Sequence, residues 1–483
     1  MKVLFWMSHA GFSRNFESLL RELDARDHEV EVALERDWPR GAGDDDAHLR
    51  RLERELPGLR LGLAPARPPV GPTATGRHLR AGLDYLRFLD PAYATAVKPR
   101  ERAAAHVPRA LVHAAARPGA RPALRWLLSA AERAVPVEAA TRAFISARAP
   151  DLVCLTPLID LGSPQTDVVR AARELRIPSA LCVASWDNLT MRGGIHDAPD
   201  LVAVWNEAQR AEAVDLHGVP AERVVVVGAG AYDHWFGWRP GNDREPFCVS
   251  LGLDPAQAIV LYVGSSGFIA PGEDAFVLDW AREVRADAAL EGVQLLVRPH
   301  PLNAPSAQGR AALEALGGVV VHPPRGANPT SAIARQAYFD SIFHSAAVVG
   351  VNTSAFLEAA IVGRPIHTVL DDRYRATQEG TLHFRHLLPA TGGALRAAST
   401  FDEHRRQLAA ALSAGPEAAE RDFVAAFVRP CGIDRPAGEL VAAELERAAR
   451  ASAASASPAP RAGRAPAAAA LLAVRGHARW RRR

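Results

Sequence analysis

Short runs of branched apolar residues recur along most of this chain, each closing on small polar residues and each followed by a segment of helical period. Lys2–Met7 (KVLFWM) is the first, followed by the turn Ser8-His9-Ala10-Gly11-Phe12 and a helical stretch, Asn15–Arg26. Runs that are apolar throughout, without alternation, suit parallel strands buried on both faces. Their regular exchange with helices predicts an α/β architecture in which helices cover a doubly wound sheet. After a strand at His28–Leu34 the text changes. From about 41 to 141 Arg, Ala and Pro crowd together and strand signals vanish, which reads as a helical insertion with flexible stretches. The alternation resumes with strands Asp151–Leu155, Ala180–Ala184, Leu201–Trp205 and Arg223–Val227, and helices Thr166–Leu175 and Glu207–Leu216.

A second series begins near Pro246. It has strands Ile259–Val263, Val293–Val297 and Val319–His322, with helices Glu273–Val284, Gln308–Leu316 and Tyr338–Ser345. A chain of 483 residues exceeds one ordinary domain. The expected division is a first Rossmann-like domain over 1–240 carrying the 41–141 insertion, and a second over 246–448. The tail 449–483, rich in Ala, Ser, Pro and Arg, lacks the apolar periodicity to pack and is expected to be disordered. A basic tail of this kind can touch an acidic membrane surface.

With 48% hydrophobic residues the chain can fill real cores, and a net charge of +3 does not suggest nucleic acid. Cys154, Cys182, Cys248 and Cys431 lack metal-type spacing, and the first three sit in apolar, strand-like runs, so they read as buried thiols in a reducing compartment. The N-terminus lacks the long apolar core of a signal peptide and no stretch approaches a membrane span, so a cytoplasmic chain is expected.

Two successive α/β units suggest a pair of sheets facing a cleft, with ligands beyond the carboxyl ends of the strands. Three loops of the second unit end there. VVGVNTSAFLEAAIVGRPIHTV, Val348–Val369, sets Asn352, Thr353 and Ser354 at the mouth of a helix, with Glu358 one turn further in. A helix start offers unpaired N–H groups and partial positive charge to a phosphate, and an acid one turn along can reach a sugar's vicinal hydroxyls. The same three residues are also ordinary N-caps. In Arg298-Pro299-His300-Pro301 the prolines stiffen the loop and leave Arg298 and His300 as its polar groups. Arginine suits a diphosphate, and histidine can protonate a leaving phosphate or simply be satisfied by backbone. Gly264-Ser265-Ser266 supplies a small polar turn beside them.

These loops together resemble the donor-binding half of GT-B glycosyltransferases, with local likeness to CDP-glycerol glycerophosphotransferases and UDP-N-acetylglucosamine 2-epimerases. The resemblance covers roughly Asp151 to Arg447 plus the first strand, loop and helix. Val224–Phe236 (VVVVGAGAYDHWF) resembles the close of that superfamily's N-terminal domain, and Phe423–Glu446 its closing helices, which often cross back to the first domain. The resemblance implies that Thr353 and Ser354 hold the donor's phosphates, with Ser265 and Ser266 completing the cradle. It implies that Glu358 faces the ribose hydroxyls, and that Arg298 and His300 lie beside the diphosphate. The donor would be a nucleotide-activated sugar or polyol, with no cofactor and no metal, since no Asp-x-Asp lies between apolar strands. Asp44-Asp45-Asp46 reads as a solvated loop of the insertion.

The first unit would supply the acceptor side. His9 and Gly11 follow the first strand, where glycine lets backbone approach a ligand and histidine can accept a proton, as it does in this loop of some GT-B enzymes. His9 can equally cap the next helix or bind a phosphate. In VASWDNLTMRGG, Val183–Gly194, Asp187 and Asn188 are expected to be exposed and Asp187 is the other candidate base, while Arg192-Gly193-Gly194 should bend freely. The epimerases carry a Gly-Asp-Thr loop where this chain has Leu155-Thr156-Pro157 leading to Asp160. Three readings stand: a transferase acting on an unidentified acceptor such as a cell-surface polymer precursor, a nucleotide-sugar 2-epimerase, and a non-catalytic nucleotide-binding scaffold.

Overall fold

The first strand, β1 (Lys2–Met7), sends alternate residues to two separate cores. Val3, Phe5 and Met7 pack on one face of the sheet with Leu19, Leu20 and Leu23, while Leu4 and Trp6 pack on the other with Ile145, Val168 and Val169. This two-sided burial explains why the strand contains no polar residue beyond Lys2. In the computed structural model, which describes residues 1–35, 42–327, 329, 331–414 and 418–454, the strand belongs to the first of two units.

That unit runs to Val227, apart from Gly43–His48, and includes the chain from Gly438. Its strands are all parallel: β1, β2 (Glu29–Leu34), β3 (Leu59–Leu63), β4 (Leu152–Thr156), β5 (Ser179–Cys182), β6 (Leu201–Val204) and β7 (Val224–Val226). Their spatial order is β3-β2-β1-β4-β5-β6-β7, so the winding reverses between β1 and β4. The second unit, Gly228–Ala437 with Gly43–His48, has its own parallel sheet. Its strands are β8 (Ile259–Val263), β9 (Gln294–Arg298), β10 (Val319–Val321), β11 (Ala347–Val349), β12 (Ile366–Val369) and β13 (Arg396–Ala398), in the order β10-β9-β8-β11-β12-β13. Here the winding reverses between β8 and β11. Tyr262, Phe276, Trp280 and Val260 fill the core on one side of this sheet.

Several sequence expectations change. The chain from 41 onward is not all insertion: the helix Ala42–Glu55 leads into β3, which pairs with β2 as an edge strand. Asp44-Asp45-Asp46 therefore begins a helix rather than a loop. Helices from Pro72 to Arg148 make up the rest of the insertion. Cys248 lies on the helix Arg244–Leu251, not in a strand, whereas Cys154 and Cys182 are buried on neighbouring strands with their sulfurs 3.4 Å apart. The units divide at Val227–Gly228, not after 240, and the helix Ala437–Ala454 goes with the first unit. Its Val441, Ala442 and Leu445 join the same core cluster as Leu19, Leu20 and Leu23. That helix extends through 449–454, and the remaining tail expectation, 455–483, lies outside the described residues. Among the described residues no helix is long and apolar enough to cross a membrane.

Candidate functional site

In open α/β sheets ligands gather at the carboxyl ends of strands where the winding reverses. In the second unit that point lies between β8 and β11, and three successive loops meet there. Gly264 follows β8 at such close quarters to the next loop that a Cβ on it would stand 2.8 Å from the His300 backbone nitrogen. Only glycine lets these two loops approach so closely. On the other side, the Asn352 N–H points to the Ser265 hydroxyl at 3.5 Å.

Within this convergence Arg298 is 7% exposed at the end of β9, and Nη1 donates to the Ser341 hydroxyl at 3.0 Å. Its guanidinium also lies 5.4 Å from the Tyr338 ring centroid. Among the described residues it has no carboxylate partner. Burial pulls it below the usual arginine range, with Tyr338 opposing that shift. A buried cation without a counter-ion carries its desolvation cost uncompensated, and an anion would relieve it. His322, after β10, is lowered by burial and by the Arg298 charge. His300 is half-buried and lowered by burial, and its Nδ1 accepts from the Leu302 N–H at 3.1 Å.

Glu358 faces the same place from the helix Ala355–Ile361. The Tyr338 hydroxyl donates to its Oε2, and burial pushes the carboxyl up to about 7 against that bond. Tyr338 therefore touches both the acid and the arginine. Ser354 is exposed and Thr353 half-buried at the start of this helix, with the Thr353 hydroxyl accepting from the Ala355 N–H at 3.3 Å. Ser266 is half-buried, and its carbonyl accepts from Ile269 and Ala270.

Two expected phosphate contacts turn inward instead. Asn352 is 4% exposed, and its Nδ2 donates to the Thr377 carbonyl at 2.6 Å, so it anchors the loop rather than capping the helix. Ser265 is buried, and its N–H is spent on Glu273 at 2.7 Å. Glu273 went unnoticed in the sequence. It also accepts from the Tyr262 hydroxyl at 2.9 Å and Asn303 Nδ2 at 3.3 Å, and burial raises it to about 7. An acid in a helix's first turn reads as ordinary dipole compensation, so no signal marked it. Tyr338 was equally silent, twenty positions from its partner.

In the first unit the winding reverses beside the His9 loop, where the Ser8 N–H donates to the Thr156 carbonyl at 3.2 Å. His9 caps a tight helical segment, Ala10–Phe16, with Nδ1 accepting from the Gly11 N–H at 3.1 Å. That bond engages a ring lone pair and fixes Gly11 as its donor. Asn15 ties this segment to the end of β5 by donating to the Ala184 carbonyl at 2.6 Å. Asp187 and Asn188 are not exposed as expected: Asn188 is buried and Asp187 half-buried. Both close the turn at Ser185, whose hydroxyl donates to Asp187 at 2.6 Å and whose N–H donates to Asn188 at 3.1 Å. Nor does Arg192-Gly193-Gly194 bend freely. Arg192 pairs with Asp160 at 2.6 Å, and Gly194 donates to the buried Asp84 at 2.7 Å.

Two doubly wound units of this kind, each with loops gathered where its strand order reverses, define the GT-B fold, and the chain has that fold. Among solved structures it is similar to the UDP-GlcNAc 2-epimerase of Methanocaldococcus jannaschii, at 10% identity and TM-score 0.52, over 92% of this chain and 100% of that one. The UDP-GlcNAc 2-epimerase of Neisseria meningitidis bound to UDP-GlcNAc matches with the same identity, TM-score and coverage. A glycosyltransferase of Rickettsia africae matches at 9% identity and TM-score 0.51, over 92% of this chain and 98% of its own. No family model and no curated protein matches the sequence.

Proposed function

We propose that this chain is a transferase that moves a sugar or polyol-phosphate group from a nucleotide-activated donor to an acceptor. The observation that carries this reading is Arg298, a buried guanidinium with a hydroxyl and an aromatic face as neighbours and no carboxylate among the described residues. A diphosphate is an anion that can pair with it bidentately. The Tyr338-bound Glu358 then lies within the same convergence to accept from ribose hydroxyls, and Thr353 and Ser354 hold the phosphates at the helix start. A structural neighbour crystallised with UDP-GlcNAc supports a nucleotide-sugar donor.

Chemistry follows from the leaving group. For a sugar, the acceptor oxygen bonds to the transferred carbon while its bond to the diphosphate breaks and the nucleoside diphosphate leaves. For a polyol phosphate, the oxygen bonds to the distal phosphorus while the phosphoanhydride bond breaks and the nucleoside monophosphate leaves. Arg298 neutralises the charge that develops. With Nδ1 of His300 accepting a backbone hydrogen, its neutral ring carries the proton on Nε2, where it can be given to the departing phosphate oxygen. His9 or Asp187 removes the acceptor's proton; for His9 this requires release of the Gly11 bond, whereas Asp187 keeps an acceptor oxygen beside its Ser185 contact. Synthesis of a cell-surface polymer is the process such a transfer serves.

The neighbouring 2-epimerases favour a second reading, interconversion of a nucleotide sugar without an acceptor. Against it, the acid nearest the expected Gly-Asp-Thr loop, Asp160, is spent on Arg192. A thermal-shift screen with UDP, GDP, CDP, ADP and TDP tests both. A nucleotide at a hundred times its dissociation constant adds about 2.7 kcal/mol. No shift with any of them removes both readings, and epimer formation from a lone nucleotide sugar selects the second.

A further inference from the structure

The helices of the insertion in the first unit carry a surface that the donor chemistry does not use. Helix Ala120–Ala134 packs inward through Leu128, whose side chain meets Gly82 of helix Pro72–Arg87. Glu132 is buried on the same side, paired with Arg80 at 3.0 Å and Arg170 at 2.6 Å. The opposite face leaves Trp126 66% and Leu127 54% exposed, side by side. Single exposed apolar residues need no explanation, but this pair sits among charges of one sign. From 97 to 134 there are eight Lys and Arg against two acids, and one of those acids is the buried Glu132. Arg117, Arg121, Arg125 and Arg133 are exposed around the Trp126–Leu127 pair.

We propose that this face docks on an anionic lipid surface, with Trp126 and Leu127 entering the headgroup boundary and the surrounding arginines meeting lipid phosphates. Charge decides among the occupants. A second copy would bring an equally basic face against it. The chain's own C-terminal segment, 455–483, has seven arginines and no acid, so it too would be repelled. A membrane carrying acidic lipids offers both opposite charge and a place for an indole ring, whose amphipathic body favours that depth. Arg121 and Arg125 also donate to the carbonyls of Leu89 and Leu86, so the basic groups are held in place around the apolar pair. This inference does not depend on the donor site, and its test leaves that site intact.

Sedimentation of the full-length protein with lipid vesicles provides the test. Binding is expected to vesicles containing phosphatidylglycerol and not to vesicles of phosphatidylcholine alone, and should weaken as salt rises. The double variant Trp126→Ser, Leu127→Ser and the double variant Arg121→Glu, Arg125→Glu should each reduce binding roughly tenfold or more. Thermal midpoints equal to the parent's identify variants that fold. No binding to either vesicle overturns the proposal, as does binding that both folded variants retain in full, which would place it elsewhere on the chain. A dimer in solution that Trp126→Ser dissociates, or a preference for duplex DNA over vesicles, also overturns it.

Discussion

The Tyr338 hydroxyl donates its hydrogen to the Glu358 carboxylate, joining two helices that are separate in sequence. Because burial pushes Glu358 up to about 7, the folded protein carries it half-protonated near neutrality. Only the carboxylate accepts two hydroxyl hydrogens, so nucleoside diphosphate affinity should rise with pH through about 7 and be flat in Glu358→Gln. Tyr338→Phe removes the hydrogen bond and should shift the inflection upward. Calorimetric titration across that range gives the answer, and a parent curve as flat as that of Glu358→Gln would refute the assignment.

Arg298 separates binding from stability. Replacing it by Met removes a buried cation that lacks a counter-ion, so the melting temperature should hold or rise. Diphosphate affinity should fall by about 2 kcal/mol, some thirtyfold, as a charge-assisted bond is lost. Loss of affinity together with a large drop in stability would make Arg298 a structural residue.

Acid sensitivity should come from a buried pair in the second unit. The Trp280 indole donates to His404 at 2.9 Å, and the His367 ring packs against His404 with no hydrogen-bond partner on either nitrogen. Burial lowers His404 to about 4 and His367 well below its usual value. Unfolding raises both, so the neutral pair stabilises the fold above the unfolded histidine range, and that contribution is lost as pH falls toward about 4. His367→Leu should flatten this acid limb in thermal melts. An unchanged limb would assign the sensitivity to other groups.

Asp84 pins the loop beyond β5. It accepts from Gly162 and Gly194, each at 2.7 Å, and from His196 at 2.8 Å. Burial alone would raise its carboxyl, but His196 and the two N–H groups outweigh that and hold it below the usual carboxylate range. Asp84→Ala strands two buried N–H donors and the half-buried His196 and should cost about 3–5 kcal/mol in denaturant titration. A cost near zero would mean the loop finds other acceptors.

What the sequence made legible follows from burial. Strands such as β1, β4 and β8, packed on both faces, announce themselves by unbroken apolar runs and lie within a residue of expectation. Two of the four edge strands do not: β3 reads LRLGL and β13 only RAA, whereas the edge strands β7 and β10 each read VVV and were legible. The insertion was opaque too. Its Arg80 and Glu132 are buried in ion pairs with each other and with Asp167 and Arg170 of the helix after β4, so charge there marks interior rather than surface. At the site, residue type pointed to Arg298 and Glu358, but side-chain direction was not readable. Asn352 could have capped a helix or reached a phosphate, and the nearby Thr377 carbonyl took it instead.

The first unit is interrupted: its last helix is synthesised some two hundred residues after its last strand, with nearly all of the second unit between. A ribosome therefore releases Leu19, Leu20 and Leu23 long before Val441 and Leu445 exist to complete their cluster. A fragment ending at Val227 keeps the sheet residues Val3, Phe5 and Met7 against those leucines but lacks the Val441, Ala442 and Leu445 side of the cluster. That core layer is therefore complete only once both ends of the chain have been made.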